Sequence, residues 1–200
     1  MNNVDRIFSE TANSTDFVDS YLGYLTQVLA KIDRSEIAAF VDVLLAARQA
    51  GSTVYFIGNG GSAATASHFA NDISIGTRSF EKPFRAVSLC DNLAVITAIG
   101  NDNGYDNIFY EQLAVLLKKD DVVVAISASG NSGNVIRGIE YAKKIGAKTI
   151  GLTGFDGGKL RPLVDHTVHI PSEKGEYGPV EDGHMIIDHV VGNYLMRFIK

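Results

Sequence analysis

The chain has 200 residues, 46% hydrophobic and 20% charged, which is enough apolar side chain for a full-sized core and rules out a disordered chain. Its 18 basic and 23 acidic residues give a net charge of −5 with no basic run, which argues against a nucleic-acid surface. A lone cysteine, Cys90, excludes an internal disulfide and suits a reducing cytoplasm. Met1–Glu10 lack the charged-then-apolar pattern of a secretory leader, and no run of about 20 apolar residues offers a membrane span.

Residues 1–51 read as a helical hairpin. Phe17, Val18, Tyr21, Leu22, Leu25, Val28, Leu29 and Ile32 form one apolar stripe at helical spacing. Asp33 and Glu36 suggest a capping box, opening a second helix that carries Ile37, Phe40, Val41, Leu44 and Leu45 and stops near Gly51. Residues 52–200 then change pattern. Short apolar runs at Val54–Ile57, Ala86–Leu89, Val122–Ile126, Lys148–Thr153 and Thr167–Ile170 read as strands. Helices are expected over Ala63–Ser74, Asn92–Ile99, Asn107–Leu117, Asn134–Ile145 and Val180–Ile199. Nearly all-apolar strands alternating with helices predict an α/β fold: a five-stranded parallel sheet flanked by helices, with the hairpin as an N-terminal addition.

Ligands in such sheets bind beyond the carboxyl ends of the strands. Two of these ends share a design. Ile57 leads into Gly58-Asn-Gly-Gly-Ser-Ala63, and Ile126 leads into Ser127-Ala-Ser-Gly-Asn-Ser132. Small residues let backbone N–H groups approach an anion, hydroxyls donate to it, and the following helix start favours negative charge. The pair therefore reads as a phosphate cradle, although turns and caps alone also use these residues. Neither loop has the lysine of a nucleotide P-loop or the G-x-G-x-x-G spacing.

His68 and Asp72 lie four residues apart on the helix after the first loop, and the last helix offers Glu181, His184, Asp188 and His189. A His–carboxylate pair on each of two helices could hold a divalent metal, act as acid and base, or be surface polarity at helical spacing. Asn101-Asp102 could meet a ligand or simply end a helix, and Cys90 reads as a small strand-end residue rather than a nucleophile. His166 and His169 are expected to face solvent or to satisfy a loop.

Gly58-Asn-Gly-Gly-Ser-Ala-Ala64, Ser67-His-Phe-Ala70, Ala98-Ile-Gly-Asn-Asp-Asn-Gly-Tyr105, Ile126–Ser132 and Leu152-Thr-Gly-Phe-Asp-Gly-Gly158 together resemble the sugar isomerase (SIS) family, in its phosphoheptose isomerase branch. The resemblance runs over nearly the whole chain and implies a single SIS domain over residues 1–200, with a flavodoxin-like three-layer arrangement. It implies a cytoplasmic aldose–ketose isomerase converting sedoheptulose 7-phosphate to D-glycero-D-manno-heptose 7-phosphate for bacterial surface-glycan heptose. It also implies a homotetramer with active sites between subunits. Its implied substrate contacts are Asn59, Gly60, Gly61, Ser62, Asp102, Ser127, Ala128, Ser129, Ser132 and Glu181, and its implied catalytic pair is Asp72 and His189. A zinc ion would be held by His68, Asp72, Glu181 and His189. Asp72 stands where the family has glutamate, Glu181 where it has glutamine, and Ala128 where it has threonine. A non-catalytic SIS protein that binds the replication initiator, or an isomerase of a related sugar phosphate, is the alternative.

Overall fold

A computed structural model describes residues 1–199. The chain opens with α1 (Asn3–Glu10), α2 (Ser14–Ala30) and α3 (Arg34–Ala50). β1 (Thr53–Gly58) leads into α4 (Gly61–Asn71), which runs on as a π turn over Asp72–Gly76. β2 (Arg85–Ser88), α5 (Leu93–Asp102), a 3-10 turn at Tyr105–Asn107 and α6 (Ile108–Leu116) follow. β3 (Val122–Ser127), α7 (Gly133–Ile145), β4 (Lys148–Thr153), α8 (Leu160–Leu163), β5 (His166–His169) and α9 (Tyr177–Phe198) complete the described chain.

All the pairings are parallel, in the order β2-β1-β3-β4-β5. β1 connects to β2 on one side, and the chain then crosses back past β1 to β3 on the other. That makes the β1/β3 boundary the switch point where α/β sheets open a crevice. Gly58 pairs with Ile126, so the two glycine- and serine-rich loops start side by side at this boundary.

Strand alternation splits the core into two layers. Val54, Phe56, Val124 and Ile126 face α2, α3, α4 and α9, while Tyr55, Ile57, Val123 and Ala125 face α6 and α7. On the first face Phe69 of α4 stacks on Phe56 at 5.1 Å and meets Phe40 of α3 edge-on at 5.6 Å. This aromatic triplet fixes the helix that carries Ser62 and His68. Among the described residues no helix is long and apolar enough to cross a membrane.

Two local expectations need correction. The capping box lies at Asn2 and Asp5, opening α1, and not at Asp33 and Glu36. Asp33 does cap α3, accepting from the Ser35 N–H at 2.8 Å, but the Glu36 carboxylate accepts from the His169 N–H at 2.8 Å. Glu36 thus satisfies the end of β5 instead of its own helix. α9 starts at Tyr177, ahead of the expected Val180, because Pro179 is tolerated in a first helical turn, where its missing N–H costs nothing.

Candidate active site

The first cradle turns sharply out of β1. A Cβ on Gly58 would lie 2.7 Å from the Ser62 carbonyl oxygen, so only glycine closes this turn. Gly60, at φ +55°, opens α4 with no side-chain cap, so the Gly61 and Ser62 N–H groups at its start have no capping side chain. Ser62 is buried there. Asn59 is held by a reciprocal amide pair with Asn134, both bonds 2.9 Å, and its carbonyl accepts from the Tyr105 hydroxyl at 2.8 Å.

The second cradle is shaped by its own hydroxyls. Ser127 Oγ accepts from the Gly130 N–H at 3.1 Å and lies 3.5 Å from Ser132 Oγ. Ser132 occupies the N-cap position of α7 but makes no capping bond. Behind this loop, Gly154–Gly158 acts as a brace. Gly154 N–H donates to Ala128 carbonyl at 3.0 Å, and Leu160 N–H donates to Gly130 carbonyl at 2.9 Å. Both cradles line one cavity of about 140 Å³, shared by Asn59, Ser62, Ser127, Ala128, Ser129 and Ser132 with Tyr177 and Glu181 of α9.

The second constellation forms where α4 passes into its π turn and meets α9. Ligand atoms of His68, Asp72, Asp188 and His189 all lie within 4.8 Å of one another. His68 Nε2 is 3.5 Å from Asp72 Oδ2 and 4.0 Å from Asp188 Oδ2, and the two imidazole rings sit edge to face at 5.2 Å. Asp188 is fully buried, and neither of its oxygens has a hydrogen-bond partner. Burial, with the Asp72 charge beside it, pushes its carboxyl up to about 7.

His68, Asp72 and His189 are thus brought together as the spacing suggested, but Glu181 is absent from this group and Asp188 is present. The Glu181 carboxylate lies over Gly61, where a Cβ would come within 2.6 Å of Glu181 Cδ. The missing side chain at 61 is what lets Glu181 reach the cradle. Burial, then the neighbouring Asp182, raises its pKa. Gly60 and Gly61 form the α4 entry but do not line the cavity, and neither does Asp102. Asp102 is the exposed last residue of α5, its carboxylate held by Asn101 Nδ2 at 2.8 Å, so it ends a helix.

Cys90 sits in the turn two residues past β2 with its thiol 3.4 Å from the Gly58 carbonyl, and burial raises its pKa away from thiolate chemistry. His169 does not face solvent. Its Nδ1 meets Thr153 Oγ1 at 3.0 Å, and burial lowers its pKa to about 4. His184 is fully buried, with Nε2 3.3 Å from the Thr153 carbonyl, and its pKa is likewise lowered to about 4. The four-residue spacing of His184 and Asp188 gave no sign that one would pack under β4 and the other against His68.

A parallel sheet opening at its switch point onto two serine-lined loops defines an α/β domain with a polar crevice suited to an anionic ligand. The SIS domain family matches residues 16–154. A phosphoheptose isomerase of Geobacter metallireducens is 40% identical over 168 residues, 82% of this chain and 88% of that protein. The structure of a phosphoheptose isomerase from Francisella tularensis superposes with a TM-score of 0.84 at 28% identity, covering 93% of this chain and all of the other. The enzyme of the same name from Neisseria gonorrhoeae gives a TM-score of 0.82 at 29% identity, over 92% and 98% of the two chains. The chain belongs to the SIS domain family, in its phosphoheptose isomerase branch.

Proposed function

We propose that this protein is an aldose–ketose isomerase that converts sedoheptulose 7-phosphate to D-glycero-D-manno-heptose 7-phosphate. The observation that carries this reading is the shared cavity between Ser62 and the Ser127–Ser132 loop, with the His68–Asp72–Asp188–His189 cluster on the same two helices. The six residues from Ser62 to His68 advance about 9 Å along α4. An open-chain seven-carbon phosphate can span that length.

In this reading the hydroxyls of Ser62, Ser127, Ser129 and Ser132 donate to the phosphate, helped by the N-termini of α4 and α7. Asn59, locked by Asn134 and Tyr105, and Glu181 orient the sugar hydroxyls. The Asp72 carboxylate takes a proton from C1 of the ketose, giving an enediol, and returns it to C2. The His189 imidazole moves the accompanying proton between the oxygens on C1 and C2. The donor set suits a divalent cation: two imidazoles and two carboxylates converge, and the Asp188 oxygens have no other partner. A bound zinc ion would stabilise negative charge on the reacting oxygen as a Lewis acid. His68, Asp72 and His189, with a further carboxylate, would hold it. Gly60, Gly61 and Ala128 contribute backbone and close approach, and Asp102 meets sugar only if α5 moves toward the cavity.

Assembly belongs to the same reading. Ile186, Val190, Tyr194 and Phe198 are exposed at four-residue intervals along α9, and Val18 and Leu22 are exposed on α2. Such stripes suit helix packing between copies, in a homo-oligomer of four chains with sites at subunit boundaries. The unpaired thiol of Cys90 fits a cytoplasmic setting. A coupled assay with sedoheptulose 7-phosphate, run with and without zinc, tests the function. Turnover supports it. Tight phosphate-sugar binding without turnover would support the non-catalytic alternative.

A further inference from the structure

We infer that Asp188, and not Glu181, supplies the second carboxylate of a divalent-cation site made with His68, Asp72 and His189, and that Glu181 is thereby left to the sugar-phosphate cavity. This inference rests on the isomerase reading only for the substrate role of Glu181.

Asp188 carries the argument. A carboxylate with no accessible surface and no donor on either oxygen is among the costliest groups a core can hold. Proteins keep such a group when something absent from the bare chain pairs with it. No neighbouring side chain pairs with it. Asp72 is a second acid, so it repels. His68 Nε2 stands 4.0 Å away, too far for a hydrogen bond, and is shared with Asp72 at 3.5 Å. Neighbouring ligand atoms around a tetrahedral ion with bonds of about 2.0 Å are roughly 3.3 Å apart. His68 Nε2 lies 3.5 and 4.0 Å from the two aspartates, a little wider than that, and all four ligand atoms fall within 4.8 Å of one another; two imidazoles with two carboxylates are a borderline-cation donor set.

The backbone also separates the two acids on α9. Asp188 and His189 sit against the α4 exit, where the π turn begins at Asp72. Glu181 lies almost two turns earlier, over Gly61 at the α4 entry, and lines the cavity with the cradle serines. One helix therefore presents one acid to each end of α4.

The test is zinc binding by the full-length protein, freed of metal by chelation and titrated calorimetrically without any sugar phosphate. Wild type is expected to bind one zinc per chain. Asp188→Asn is expected to weaken zinc by more than the roughly 10–100-fold that loss of an outer-shell partner costs. Glu181→Gln, at a partly exposed position, is expected to keep zinc affinity within about threefold and to raise KM for the sugar phosphate. Loss of zinc in Glu181→Gln, or wild-type affinity in Asp188→Asn, overturns the inference. Should Asp188→Asn not fold, Glu181→Gln alone decides. Zinc binding that depends on Asp188 in a protein with no isomerase activity would sink the isomerase reading and leave this site standing.

Discussion

Ser132→Ala removes one hydroxyl from the second cradle and separates ligand binding from stability. Ser132 sits at the N-cap of α7, where a serine hydroxyl normally bonds a first-turn N–H and its loss costs about 1 kcal/mol. Here that bond is not made, and the hydroxyl's nearest partner is Ser127 Oγ at 3.5 Å. The folded protein therefore loses little, about 0.5 kcal/mol or less. A hydroxyl donating to a phosphate is a charge-assisted bond worth about 1.5–3 kcal/mol, or about 10- to 150-fold in affinity. Steady-state kinetics with sedoheptulose 7-phosphate should show KM raised by that factor, while thermal melting without ligand stays within about 2 °C of wild type. An unchanged KM would refute phosphate binding at this loop. A large drop in melting temperature would show instead that the hydroxyl is structural.

Gly61→Ala places a Cβ 2.6 Å from Glu181 Cδ, a contact that a flexible side-chain end relieves by swinging away. Melting temperature should hold while kcat/KM falls about tenfold or more; unchanged kcat/KM would remove Glu181 from the substrate site. Burial lowers the His184 pKa from 6.5 to about 4, so between those values the unfolded chain binds the extra proton and stability is lost as pH falls. Urea unfolding of wild type and His184→Gln should show their stability difference shrinking by up to about 3 kcal/mol from pH 6.5 to 4, and a constant difference refutes the assignment. Asp188 drifts in the opposite sense over this interval, but it is common to both proteins and cancels. Val190→Glu with Tyr194→Glu charges the exposed α9 stripe and should reduce the mass measured by light scattering toward one chain; a monomeric wild type contradicts the assembly.

The sheet was legible because β1 and β3 are almost wholly apolar, a pattern that two-sided burial rewards. The cradles were legible because close backbone approach demands glycine and serine at fixed places after a strand. α1 was not, since its eight residues are mostly polar and its anchor is distant. Its start is pinned by Glu176, whose carboxylate accepts from the Asn3 N–H at 2.8 Å and from the Tyr24 hydroxyl at 2.6 Å. The division between Glu181 and Asp188 was hidden for a similar reason. Helical spacing places both acids near one face, but which end of α4 each one meets depends on how α9 crosses it. The brace behind the second cradle was equally hidden, because nothing in the Gly154–Gly158 motif shows that Gly154 N–H and the following Leu160 N–H bond back to Ala128 and Gly130.

Proton NMR of sedoheptulose 7-phosphate incubated with the protein in D2O reports proton transfer at carbon itself. An aldose phosphate should accumulate with deuterium at C2, because the proton held by Asp72 exchanges with solvent before its return. Asp72→Asn should abolish both product and deuterium uptake while still binding the sugar phosphate. An aldose formed without deuterium would contradict exchange of the carried proton, and no change in the ketose spectrum under wild-type protein with zinc would contradict the isomerase itself.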